Sequence, residues 1–199
     1  MHTKPFSKSL LLPAILLSSA PFIFGCSNQS TDANSVISSH SSQASQRQQI
    51  DFNFGWKFIN ENVTGAEQTS FNDVQWRDVR LPHDWSIEKP YSQELTAGAT
   101  GYLPGGHGWY RKHFKTPKLA NGETAKTQIL FDGIYNHSEV FINGKSLGTR
   151  PYGYAPFYYD LTPYLNTDST DNVIAVSVDR SRYVDSRWYT GSGFIVMLN

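Results

Sequence analysis

From residue 51 onward, apolar and polar positions alternate in short runs with the period of a β-strand. Phe52-Asn53-Phe54-Gly55-Trp56-Lys57-Phe58 carries a ring at every second position, which puts four rings on one face of an extended segment and would scatter them around a helix. Residues 109–115 predict a second strand, with Arg111, His113 and Lys115 on one face. Residues 128–134 and 172–178 are β-branched or aliphatic runs bounded by Asp, Gly and Asn, the signature of buried strands. Glu139-Val140-Phe141-Ile142 leads into Asn143-Gly144, whose tolerance of positive φ predicts a tight hairpin returning through residues 146–149. No run with a 3.6-residue period competes with these signals. Pro82, Pro90, Pro104, Pro117, Pro151, Pro156 and Pro163 mark loops or strand edges. The pattern predicts an all-β, antiparallel jelly-roll sandwich. One connection, residues 86–108 with five glycines and two prolines, is long for a compact domain, and loops of that length are usually functional or disordered.

The first 50 residues follow other rules. Lys4 and Lys8 precede an apolar run over residues 10–24 that Pro13 and Pro21 interrupt, and Gly25-Cys26-Ser27 follows. A membrane-spanning helix needs about 20 unbroken apolar residues, so the run reads as an export signal. Ile23-Phe24-Gly25-Cys26 resembles a bacterial lipobox, which implies a lipid on Cys26 and an exported, membrane-anchored lipoprotein at the periplasm or cell surface; Phe24 departs from the small residue usual at its position. Residues 27–49 hold eight serines and no aromatic residue, too little apolar surface to fold, and predict a disordered tether. The expected division is a signal peptide over 1–25, a Ser/Gln-rich linker over 26–50 and one folded domain over 51–199.

Composition narrows the function. Seventeen basic residues against seventeen acidic ones leave no excess positive charge for nucleic acid. Cys26 is the only cysteine and the six histidines show no metal-ligand spacing, so neither metal nor cofactor is expected. Gly144-Lys145-Ser146 lacks the preceding glycine of a phosphate loop, because Glu139 stands there, and Gly191-Ser192-Gly193 lacks the spacing of a serine-hydrolase elbow. Polar and aromatic clusters remain, in Leu81-Pro82-His83-Asp84-Trp85, residues 101–111 and residues 182–189. Sugars are recognised by this combination, charged groups bonding hydroxyls and flat rings covering the C–H faces of a pyranose. His83 and Asp84 are candidates for sugar contact, with bracing of loop backbone as the favoured alternative; Asp185, Arg187 and Trp188 are the stronger sugar-contacting candidates.

Six segments in order, residues 81–85, 101–111, 141–144, 150–154, 159–164 and 186–189, together resemble the N-terminal sugar-binding domain of glycoside hydrolase family 2, in its bacterial β-galactosidase branch. The resemblance implies a galactose-binding-like jelly roll that precedes an immunoglobulin-like domain and a (β/α)8 barrel. It also implies retaining hydrolysis of terminal β-D-galactosides, with β-glucuronides and β-mannosides as alternatives. Retaining hydrolysis uses two carboxyl groups about 5–5.5 Å apart; in the family both are barrel glutamates, so no residue of this chain inherits a catalytic role. Arg187 with Asp185 would hydrogen-bond the hydroxyls of the terminal galactose, and Trp188 would pack beneath them. The family follows its Gly-Ser-Gly stretch with an Ile-Tyr-Arg type sequence, whereas Gly193 is followed here by residues 194–199 of another kind. The expectation is therefore an inactive N-terminal portion, cut before the barrel and with an incomplete last strand. A stand-alone glycan-binding lipoprotein and a non-functional remnant are the alternatives. The expected partners are a β-galactoside or related glycan, a membrane through the lipid, and the missing immunoglobulin-like and barrel domains, with no nucleic acid.

Overall fold

The computed structural model describes residues 47–119, 122, 125–182 and 188–194. The expected signal peptide, Cys26 and nearly all of the linker lie outside the described residues, as do Asp185 and Arg187; residues 47–50 are exposed and carry no regular structure. The described residues form ten strands: β1 (Trp56–Ile59), β2 (Arg77–Val79), β3 (His83–Asp84), β4 (Gly106–Phe114), β5 (Gln128–Phe131), β6 (Ser138–Ile142), β7 (Lys145–Arg150), β8 (Phe157–Asp160), β9 (Asn172–Arg180) and β10 (Gly193–Phe194). Helical structure among them is confined to three single 3-10 turns, so the domain is all-β as expected.

Six strands make an antiparallel sheet in the order β2-β1-β4-β9-β6-β7, faced by two smaller ladders, β5 with β8 and β3 with β10. The central strand β9 pairs with β4 from Gly106 opposite Arg180 to Phe114 opposite Asn172, and with β6 along its other side. Buried on both faces, β9 is apolar at four consecutive positions, residues 173–176, and again at Val178. Ile174, Val176 and Val178 enter the main core with Trp56, Phe58, Val140 and Ile142, where Ile129, Phe131, Phe157 and Phe194 come from the facing ladders. Ala175 turns to the opposite face, under the segment that joins β1 to β2, and packs with Ala66, Trp76 and Trp109.

The hairpin at Asn143-Gly144 forms as predicted, with φ of 49° and 80° at the two turn residues. The aromatic run near residue 52 does not form one strand. Gly55 adopts φ 70° and breaks the extension, so Phe52 packs against the core from outside the sheet while Phe54 is exposed under the Arg80 guanidinium. Strand β10 is described through Phe194, and residues 195–199, on which the expected incomplete last strand falls, lie outside the described residues. Phe194 is fully buried against Trp56, Tyr110 and Phe131, with ring centroids 5.3, 4.7 and 6.0 Å away. Burial of such a ring contributes about 1.5–3 kcal/mol. Gly193 makes this possible: at φ 110° it lies so close to the Tyr110 hydroxyl and the Trp85 ring that a Cβ would collide with both.

Candidate functional site

At one end of the sandwich the long glycine-rich loop before β4 meets the chain that leaves β9. Between them lies a cavity of about 270 Å³. The loop is tied from within. The Ser86 hydroxyl donates to Pro104 O at 2.7 Å and stands 2.6 Å from the Ser192 hydroxyl, and Trp85 Nε1 and Lys89 Nζ both donate to Gly105 O, at 3.2 and 2.7 Å. The buried hydroxyls of Thr96 and Thr100 are 2.6 Å apart on the cavity wall.

Asp84 sits where β3 meets β10 and grips both sides. Its Oδ1 accepts the backbone N–H of Ser86 and of Ser192, each at 3.0 Å, and its Oδ2 accepts the Tyr189 hydroxyl in a short bond. Burial, reinforced by the adjacent Asp84 carboxylate, raises the Tyr189 hydroxyl far above the usual phenol range and keeps it protonated. Both Asp84 oxygens are thereby committed to holding the chain around residues 189–192.

His83, the neighbour on β3, points inward. Its Nδ1 is 2.8 Å from the Tyr110 hydroxyl, and its Nε2 is 3.1 Å from Arg77 Nη2 and 3.2 Å from Glu88 Oε1. With 8% of its side chain exposed, it is a brace between the core and the Arg77–Glu88 ion pair. Burial lowers its pKa and outweighs the pull of Glu88 toward the charged form.

Of the remaining residues singled out by sequence, Trp188 is 75% exposed, while Asp185 and Arg187 belong to the segment 183–187, outside the described residues. The flanks of that segment are held. On one side Arg180 donates to Arg182 O at 3.2 Å and reaches Thr190 Oγ1 at 3.5 Å, its guanidinium lying 5.3 Å from the Tyr135 ring centroid; on the other stand Tyr189 and Ser192, fixed by Asp84. Sequence reasoning did not pick out Lys89 or Arg180, which line the cavity together with Arg182 of the 182–189 cluster. The length of the loop was the available signal, and it could not say which side chains converge. Among the described residues no three His, Cys, Asp or Glu side chains gather at a metal position. The chemistry on offer is recognition by hydroxyl, ammonium and guanidinium donors beside exposed rings.

The sequence matches the sugar binding domain of the family 2 glycosyl hydrolases over residues 51–197. The chain belongs to this family. As a family 2 sugar binding domain it is 52% identical to the beta-galactosidase BoGH2A of Bacteroides ovatus over 156 residues, 78% of this chain and 18% of that protein. It is 36% identical to a beta-glucuronidase of Formosa agariphila over 141 residues, 70% of this chain and 14% of that protein. A crystal structure of a beta-glycosidase from Bacteroides vulgatus superposes with a TM-score of 0.70 at 50% identity, covering 75% of this chain and 19% of that one. The family 2 domain described here thus spans less than a fifth of the length of these relatives, which continue well beyond the shared region.

Proposed function

We propose that this domain forms the sugar-side wall of the active site in a family 2 glycosidase acting on β-galactosides. Arg187, with Asp185, hydrogen-bonds hydroxyls of the terminal sugar, and Trp188 covers its C–H face. The two carboxyl groups of retaining hydrolysis come from the barrel of the larger enzyme, so the residues of this chain bind and orient. The observation that carries the reading is the anchoring of both flanks of 183–187 beside the cavity, by Arg180 on one side and by Asp84 through Tyr189 and Ser192 on the other. The 52% identity to a beta-galactosidase supports the choice of substrate. A second reading, a glycan-binding module acting without a barrel, is favoured by the full burial of Phe194 in the core.

The test replaces the matching segment of the Bacteroides ovatus beta-galactosidase with residues 51–194 of this chain. Arg187→Ala in that hybrid is expected to lower kcat/KM for a chromogenic β-galactoside more than tenfold with an unchanged melting temperature, because a hydrogen bond to a charged group is worth about 1.5–3 kcal/mol and about 1.4 kcal/mol is tenfold. Unchanged kinetics with a lowered melting temperature would assign Arg187 to bracing. We also propose that Cys26 bears the lipid that holds the exported protein at a membrane, with several acyl chains needed for stable anchoring. Cys26→Ser is then expected to move the protein into the soluble exported fraction, and retention on the membrane would refute the anchor.

A further inference from the structure

Beside the cavity stands a pair of rings that the sugar contacts proposed above leave without a role. Tyr152 and Tyr154 lie between β7 and β8 and are 65% and 50% exposed. Scattered exposed rings are ordinary, but these two are in contact, with centroids 5.9 Å apart, and apolar side chains exposed together mark a surface that binds something.

The pair is continuous with the cavity wall, which Arg180, Tyr189 and Thr190 help to line. The Tyr154 hydroxyl is hydrogen-bonded to the Thr190 side chain. The Tyr154 ring lies 5.1 Å from that of Tyr135, which in turn packs 5.3 Å from the Arg180 guanidinium. A path over the surface thus runs from Thr190 through Tyr154 to Tyr152.

The two rings are held out from a fixed backbone. Gly153 between them is pressed onto the chain before β6: a Cβ there would stand 2.7 Å from Tyr135 Cα and 2.9 Å from Ile134 O. Pro151 O accepts the backbone N–H of His137 at 3.3 Å. A tyrosine has only two side-chain torsions to order, so a ligand meets rings already placed and loses less in ordering them. Each ring offers a flat face to the C–H groups of a pyranose and a hydroxyl that both donates and accepts, as sugar hydroxyls do. At about 270 Å³ the cavity holds one sugar unit, since sites for larger ligands run to about 300–1,000 Å³. The rest of a longer glycan must leave over a wall.

We propose that Tyr154 and Tyr152 form a ring track leading out of the cavity, and that it binds the further sugar units of an oligosaccharide whose terminal unit occupies the cavity. The inference rests on the sugar-binding reading above and extends it from a single sugar to a chain.

The experiment is a calorimetric titration of the purified full chain with methyl β-D-galactopyranoside, β-1,4-galactobiose and β-1,4-galactotriose. Affinity is expected to rise with chain length, the trisaccharide binding at least tenfold more tightly than the monosaccharide. In Tyr152→Ala and in Tyr154→Ala the ratio of trisaccharide to monosaccharide affinity should fall toward one, whereas Tyr152→Phe, which keeps the ring, should retain most of it. Tyr152 is the more exposed of the two, so its variants keep the test open if Tyr154→Ala disturbs Thr190. Equal affinities for all three sugars overturn the track and leave the sugar-binding reading standing. A preference for length that survives both alanine variants also overturns the track. Binding of none of the sugars overturns the sugar-binding reading itself, and the track with it. The hybrid with the Bacteroides ovatus beta-galactosidase supplies the last check. If both alanine variants lower its melting temperature and leave its kcat/KM ratio for galactotriose over galactobiose intact, the rings face the rest of the enzyme rather than a glycan, and the track is overturned.

Discussion

The two ends of strand β4 use positive charge in opposite ways. Near its C-terminal end, Arg111 is fully buried and binds on every side: Nε donates to Asp73 at 2.8 Å, Nη1 to the carbonyls of Ala66 and Gln68, and Nη2 to Phe71 O at 3.4 Å. One guanidinium thereby fixes the whole segment between β1 and β2 onto the sheet. At the N-terminal end of the same strand, Lys89 meets Gly105 O and otherwise faces a cavity. A cation whose donors are filled by its own chain is structural; a cation left beside a cavity is available for recognition. Donor saturation separates the two roles where residue type cannot.

The largest effect expected from this contrast is on stability. Removing one partner of a buried ion pair costs about 3–5 kcal/mol, so Arg111→Ala should lose that much in urea unfolding and leave Asp73 with His113, 3.0 Å away, as its remaining partner. Arg182→Ala, an exposed change, should stay within about 0.5 kcal/mol. Similar losses for both would abolish the distinction. Next in size is Asp84→Asn, which exchanges one acceptor oxygen for a donor amide facing Tyr189 or the two backbone N–H groups. It is expected to cost about 1.5–3 kcal/mol and to speed hydrogen exchange at the Ser86 and Ser192 amides while leaving the amides of segment 60–76 protected. Uniform loss of protection would mean that Asp84 supports the whole fold rather than the rim.

The smallest effect is in pH, and it separates the two regions by where it falls. His83 has a pKa held below its ordinary 6.5, chiefly by burial. The unfolded chain therefore takes up the proton more readily, and the contribution of His83 to stability is present above that value and lost as pH falls below it. Burial raises Asp73, but hydrogen bonds and charge from Arg111 and His113 outweigh it, and the net pKa lies below the ordinary 3.8. Its contribution is present above 3.8 and lost only as pH falls through the lower folded value. Acidification should weaken the rim first and the Arg111 segment last. Denaturant midpoints measured down the acid range should show both steps, with His83→Gln removing the upper and Asp73→Asn the lower. A single step would join the two regions into one unit.

These distinctions were unevenly legible in the sequence. The Asn143-Gly144 hairpin was readable because its determinants are neighbours, and so was β9, whose burial on both faces goes with the apolar stretch over residues 173–176. The run at residues 52–58 misled because alternation cannot reveal the left-handed turn at Gly55. Strands β3 and β10 have two residues each and pair across more than a hundred positions, so no local pattern announces them. Arg111 read as one of several polar residues on a strand face; its burial depends on Asp73, 38 positions away. His83 and Asp84 were noticed through their chemistry, and their hydrogen bonds display bracing. Lys89 comes from the glycine-rich loop, Arg180 from the end of β9 and Arg182 from the chain beyond it, and they converge only once the sheet has formed.

The placement of the tryptophans has an optical consequence. Trp56, Trp76, Trp85 and Trp109 are all at most 7% exposed, whereas Trp188, next in sequence to Tyr189 of the cavity wall, is 75% exposed. Iodide in solution therefore reaches one indole and is kept from four. Emission that iodide quenches reports from Trp188 and unquenched emission from the core. In one cuvette, occupancy of the cavity and integrity of the fold become separate signals, with no label attached.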